Sequence, residues 1–257
     1  MLENRAAVLY NQAMNRPPVN LSNYQEVYDY YAERDPSQHI PAFLHRTFGA
    51  LFHPRTAFED DAEYTLADHF NDDGRVLLYA NHVSGADPFV LASVVQHETV
   101  LHPLIANTVI PGHVGLHKHR SLRPFLDNFV APPAYRGKDV ARSGLPDEIA
   151  QDLRIAASKA LVNLCITKAD EGRNIGIFPS GSRKATAVRS GIGQIVCGLQ
   201  NPDRFRLLPV GIDYSNGSRL RPNVFIGVPQ ELPTSVVEVT ELVEASLVRY
   251  VAAAKLL

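Results

Sequence analysis

The sequence predicts an α/β fold, a mostly parallel mixed sheet covered by helices, with a helical N-terminal subdomain. Three observations carry this expectation. From Asp72-Asp73-Gly74 onward, short apolar runs alternate with stretches of helical periodicity, the pattern of strand–helix–strand units. Before that point apolar residues recur at helical spacing, with none of the alternation of a half-buried strand. Apolar residues make up 45% of the 257 positions, enough for a full-sized core. The expected division is 1–72, a helical N-terminal subdomain, and 73–257, the α/β domain.

In the first part, Leu2 to Met14 reads as a helix ending before Asn15-Arg16-Pro17-Pro18. Ser22 caps a second helix through Tyr31, and Pro36 breaks the chain. Pro41 to Phe52 and Tyr64 to Phe70 complete the helical set. Strands are then expected over Arg75–Ala80, Thr99–Ile105, Asp127–Ala131, Asn174–Phe178, Phe205–Asp213 and Val224–Val228. Helices are expected over Pro88–Gln96, Pro146–Glu171, Gly191–Leu199 and Ser235–Lys255. In the long third-last strand-free stretch, Ile149, Leu153, Ala156, Ala160, Leu161 and Leu164 share one helical face.

Formal net charge is −2, so no global field points to nucleic acid or to an anionic membrane, and any basic site must be local. Cys165 and Cys197 sit in apolar segments without metal-ligand spacing and read as buried free thiols of a reducing compartment. No apolar h-region follows Met1, and no window approaches the roughly 18 apolar residues of a bilayer span. A cytoplasmic location is expected, with peripheral membrane contact left open.

The chemistry centres on Asn81-His82-Val83-Ser84-Gly85-Ala86-Asp87-Pro88, where an apolar strand stops at a polar loop. Open α/β sheets bind ligands outside the carboxyl ends of their strands. Along a regular helix five residues turn about 500 degrees, so His82 and Asp87 meet only if the loop folds Asp87 back. Asp87 would then fix the imidazole tautomer and leave the other nitrogen as a base. The plainer alternative is Asp87 as an N-cap before Pro88 and His82 as a loop residue; spacing alone favours it.

A second candidate is Phe178-Pro179-Ser180-Gly181-Ser182-Arg183-Lys184, with Arg189 beyond. Small residues let backbone N–H groups approach an anion, and Arg binds phosphate through two parallel bonds. A G-x-S-x-G elbow is absent, because neither Ser180 nor Ser182 has Gly two positions before it. Ordinary turn chemistry competes at this loop. The third candidate is the basic stretch His113, His117, Lys118, His119, Arg120 and Arg123, followed by Tyr135-Arg136-Gly137-Lys138. His113 and His117 are four apart, yet Gly112 and Gly115 weaken a helix and no carboxylate completes an H-E-x-x-H pattern. A solvated basic face or an anion pocket is favoured over a metal site.

Together these residues resemble the glycerolipid acyltransferase family, the PlsC-like enzymes with an H-x-x-x-x-D motif. Asn81 to Pro88 matches the first family block. Phe178 to Arg183 resembles the third, usually F-P-E-G-T-R, with Ser180 in place of Glu. Leu208-Pro209-Val210 resembles the fourth block, and Phe129 to Arg136 matches the second loosely. The run Pro179-Ser180-Gly181 is similar to the soluble plastid-type glycerol-3-phosphate acyltransferases, which also carry a helical N-terminal subdomain. The resemblance implies an acyltransferase using an acyl thioester, acyl-CoA or acyl-ACP, as co-substrate, with no resident cofactor and no metal. It implies His82 and Asp87 as catalytic residues, with Arg136, Ser180, Gly181, Ser182 and Arg183 on the substrate. The acceptor implied is glycerol 3-phosphate, with lysophosphatidate or another hydroxyl compound behind it. An acidic acyl carrier protein would suit a basic surface near residues 117 to 123. A thioesterase-like hydrolase, a metal-dependent hydrolase and a catalytically silent lipid-binding module remain as rivals.

Overall fold

Why a sheet forms from residue 55 onward follows from runs such as Arg75-Val-Leu-Leu-Tyr-Ala80, five of whose six side chains are buried. Such a run has no wet face and reads as a strand covered on both sides. A computed structural model describes residues 16–34, 39–119, 122, 126–127, 129–181 and 187–257. The helix expected over Leu2 to Met14 lies outside them. In chain order the elements are α1 (Tyr24–Ala32), α2 (His39–Leu51), β1 (Arg55–Phe58), α3 (Ala62–Asn71), β2 (Arg75–Ala80) and α4 (Asp87–His97). There follow β3 (Thr108–Val109), β4 (Gly112–His113), β5 (Pro133–Ala134), α5 (Gly137–Val140) and α6 (Asp147–Asp170). The chain closes with β6 (Asn174–Ile177), α7 (Gly191–Gly198), β7 (Phe205–Asp213), β8 (Asn223–Ile226) and α8 (Val236–Lys255).

The chain divides into two compact units, one of residues 1–36 with 110–164 and one of residues 37–109 with 165–257. The second holds a six-stranded sheet in the order β1-β8-β7-β2-β6-β3. Only β7 and β8 run antiparallel; every other neighbouring pair is parallel. The mostly parallel mixed sheet with helical cover is therefore the fold. Among the described residues no helix is long and apolar enough to cross a membrane.

Alternate side chains of β2 serve two cores. Val76, Leu78 and Ala80 pack with Val90, Leu91 and Val94 of α4 and with Leu208, Val210 and Ile212 of β7. Leu77 and Tyr79 face the other way and are fully buried. On that second face α8 approaches so closely that a Cβ at Gly211 would lie 2.2 Å from the Tyr250 carbonyl oxygen. Ser235 caps α8 by accepting from the Glu238 amide, while Glu238 accepts from the Ser235 amide, a capping box.

Some expected elements differ. The segment before residue 73 is not all helical, because β1 pairs in parallel with β8. At four residues it is too short for alternation to be legible. Thr99–Leu104 is a 3-10 helix containing Pro103; Pro lacks the N–H that a strand ladder requires. Among the described residues of Asp127–Ala131 no strand forms. Val130 turns at a φ of 42°, and the short strand β5 follows at Pro133. Cys165 is buried, and burial pushes its thiol up to about 12, but Cys197 is exposed.

In the smaller unit the basic stretch is not a continuous solvated face. His117 is buried, close to Arg16 and Tyr31. Arg16 pairs with Asp127 at 3.2 Å, both side chains 3% exposed, and Asp127 also accepts from the Tyr31 hydroxyl at 3.0 Å. A buried ion pair needs such additional partners to offset its desolvation. His113 instead faces Asp139 at 3.4 Å, so the two histidines have different partners. Burial, and then the Arg136 charge, lower His113 to about 4.

Gly211→Ala should lower the free energy of unfolding by about 1–3 kcal/mol, the usual cost of forcing atoms into a filled core. Urea unfolding checks this, and an unchanged midpoint would contradict the close seat of α8.

Candidate active site

The site is built where three neighbouring parallel strands, β6, β2 and β7, release their carboxyl ends. β2 stops because Asn81 replaces backbone pairing with side-chain pairing. Its Oδ1 accepts from the Ile212 amide at 2.7 Å and its Nδ2 donates to the Ile212 carbonyl at 2.8 Å. The ladder to β7 is thus completed by an amide side chain, and the backbone is free to turn into the loop.

Pro88 sits in the first turn of α4, where its missing N–H is no loss. The N-cap is Ala86, with no side-chain cap bond. Asp87 is the first helical residue and turns its carboxylate back over the loop. Oδ2 accepts from His82 Nδ1 at 2.8 Å, the Val83 amide at 2.8 Å and the Ser84 amide at 2.9 Å. Oδ1 accepts from the Tyr214 hydroxyl at 2.8 Å. With the Asp87 side chain 0% exposed, these four donors take the place of water around an acceptor-only group. The N-cap alternative therefore fails: the carboxylate serves the loop and the imidazole.

With Nδ1–H donating to Asp87, the other ring nitrogen of neutral His82 carries a lone pair. The ring lies against Phe178, centroids 4.5 Å apart, and its side chain is 21% exposed. Orientation thus comes from a buried anion on one side and an apolar wall on the other. Tyr214 is the first residue after β7. Burial, followed by the Asp87 charge, holds its phenol above the ordinary range, so it stays a donor.

After β6 the chain makes a tight turn in which the Gly181 amide donates to the Phe178 carbonyl at 2.9 Å. Pro179 fits its second position and Gly181, at a φ of 65°, its fourth. Ser180 is buried. Arg189 clamps the turn: its amide donates to the Pro179 carbonyl at 3.0 Å and its Nε to the Ser180 carbonyl at 3.4 Å.

Of the residues singled out in the sequence, the structure joins His82 to Asp87 and sets Phe178, whose turn carries Ser180 and Gly181, against the His82 ring. Ser182, Arg183 and Lys184 lie outside the described residues. Arg136 belongs to the smaller unit, where its amide donates to Asp139 at the start of α5. Sequence reasoning missed Tyr214 and the Asn81 amide pairing. The available signal was position, since each directly follows a recognisable strand, but strand order was needed to bring those ends together.

A family model described as Acyltransferase matches residues 61–212, more than half of the chain. No curated protein matches it.

The geometry fixes a tautomer. With the ring neutral, ¹⁵N spectra should show His82 protonated at Nδ1, assigned by loss of the signal in His82→Ala. A proton on Nε2 would contradict the arrangement.

Proposed function

The chain belongs to the acyltransferase family and is an O-acyltransferase, and from that premise we propose a donor and an acceptor. The donor is a fatty acyl thioester of phosphopantetheine, carried by coenzyme A or an acyl carrier protein. The favoured acceptor is glycerol 3-phosphate. The observation that carries the chemistry is the 2.8 Å contact between His82 Nδ1 and Asp87 Oδ2, which leaves Nε2 as the base.

In this reading the acceptor hydroxyl gives its proton to His82 Nε2 as its oxygen attacks the thioester carbonyl. Asp87 stabilises the imidazolium that forms. The tetrahedral intermediate collapses, the carbon–sulfur bond breaks, and the departing thiolate takes the proton from Nε2. His82 is returned neutral with ester and free thiol released. A thioester is already activated, so the protein need supply no covalent nucleophile. Ser180, Gly181 and Ser182 are assigned to holding the acceptor or the developing oxyanion. Arg183 is assigned to the acceptor phosphate, for which a guanidinium fork is suited.

Support for the glycerol 3-phosphate acceptor comes from Ser180, which occupies the place of the Glu in the usual F-P-E-G-T-R block and gives the P-S-G run of the plastid-type enzymes. A lipid-forming reaction also supports peripheral contact with a membrane surface on the cytoplasmic side.

A thiol-release screen tests the reading, with coenzyme A and carrier-protein thioesters against phosphorylated and neutral acceptors. Release should depend on added acceptor; acceptor-independent release would make the protein a hydrolase, and none with any donor a silent module. Asp87→Asn should lower kcat on the order of 10²–10⁴-fold, and His82→Ala at least as much, with the fold retained. Arg183→Ala should raise KM for glycerol 3-phosphate more than for an unphosphorylated acceptor; an equal effect on both would remove the phosphate assignment.

A further inference from the structure

The sheet edge that carries His82 continues past it. Arg55 pairs with Asn223, Asn223 with Asp213, and the Asn81 side chain with Ile212. The start of β1, the start of β8, the end of β7 and the end of β2 therefore form one row. At its β1 end a cavity of about 430 Å³ is lined by His53, Arg55, Arg221 and Lys255, with Ser215 and Asn216 beside them. No Asp or Glu side chain lines it. Asp213, two residues before Ser215, is buried and turns its carboxylate to the Ser215 amide and hydroxyl. Arg55 donates to the Leu257 carbonyl oxygen. The Arg221 and Lys255 head groups make no hydrogen bond or ion pair among the described residues. Leu257 also lines the cavity and takes the Arg55 guanidinium, so the cations that repel one another there until an anion enters are Arg221 and Lys255. All these residues lie outside 61–212, the span matched by the family model.

We propose that this pocket binds the phosphate of the donor's phosphopantetheine arm; the assignment rests on the thioester chemistry proposed above. Length decides between the two phosphorylated substrates. From β2 to β1 is three strand spacings, roughly 14 Å. The hydroxyl and phosphorus of glycerol 3-phosphate are five bonds apart at most, roughly 6 Å by ordinary bond lengths. An acceptor with its hydroxyl at His82 therefore cannot reach the pocket. Thirteen bonds separate the sulfur of phosphopantetheine from its phosphorus, the length of four to five extended residues or roughly 16 Å. With the thioester at His82, that arm laid along the edge of the sheet ends at Arg55, Arg221 and Lys255. Coenzyme A carries this 4′-phosphate within a diphosphate and a carrier protein within a phosphodiester, so one pocket for that phosphate serves either donor.

Calorimetric titration tests the proposal with pantetheine, 4′-phosphopantetheine, coenzyme A and a holo carrier protein, on the wild type and on Arg221→Ala/Lys255→Ala. The wild type should bind 4′-phosphopantetheine at least about tenfold more tightly than pantetheine, about the value of one charge-assisted contact. The double variant should lose that preference and weaken toward both coenzyme A and the carrier protein. Arg221→Lys/Lys255→Arg, which keeps the charges, should retain it. Equal binding of pantetheine and 4′-phosphopantetheine by the wild type would overturn the proposal. So would weakening confined to coenzyme A, which would assign the pocket to the nucleotide phosphates. A rise in the KM for glycerol 3-phosphate, with donor binding unchanged, would overturn it as well. Binding is read without turnover, so failure of the thiol-release screen would count against the acyl-transfer chemistry and leave this test standing.

Discussion

A carboxylate with no exposed surface, held at the start of a helix, is the constraint on which the rest of the site depends. Burying an isolated charge is prohibitive, and the protein meets that cost by converging four donors on Asp87. Each donor carries a separate structural commitment. The Val83 and Ser84 amides require the loop after β2 to curl beneath the helix. The Tyr214 hydroxyl requires β7 to lie beside β2 in register. The fourth donor is His82, so satisfying the carboxylate and orienting the base are the same act.

The sheet makes these commitments compatible. β2 lies between β6 and β7 and runs parallel to both, so three carboxyl ends emerge side by side. They supply the imidazole, the Phe178 wall with its Pro179–Gly181 turn, and the phenol. Register is held from below by a core filled on both faces of β2. It is held at the last rung by the Asn81 amide, which ends the strand without leaving the Ile212 backbone unpaired. The same row of strand ends extends to Arg55, giving one edge both a proton-accepting centre and a cationic pocket at a distance set by strand spacing.

The distribution of polar groups separates two kinds of burial. Arg16, Tyr31 and Asp127 in the smaller unit contact one another, and with His117 they form a buried polar cluster in place of part of an open basic surface. The Asp87 cluster is different in kind, because one of its members, His82, keeps a ring nitrogen that the cluster does not use and a side chain that is partly exposed.

Much of this was readable in the chain itself. Period and composition were enough for the α/β class, for β2, β6 and β7 within a residue or so, and for the long helices, since these elements bury contiguous apolar runs or stripes. The five-residue spacing of His82 and Asp87 marked a pair able to meet, and the later P-S-G loop made that pair worth choosing over an N-cap. Short elements such as β1, and the 3-10 turn around Pro103, escaped because four to six residues carry too little periodicity. Tyr214 escaped for another reason: its partner lies 127 residues away, and only the placement of β7 against β2 brings them together. The residues determined which chemistry was possible. The order and register of the strands decided which residues share it, because contacts between strand ends are set by neighbours in the sheet and not by neighbours in the chain.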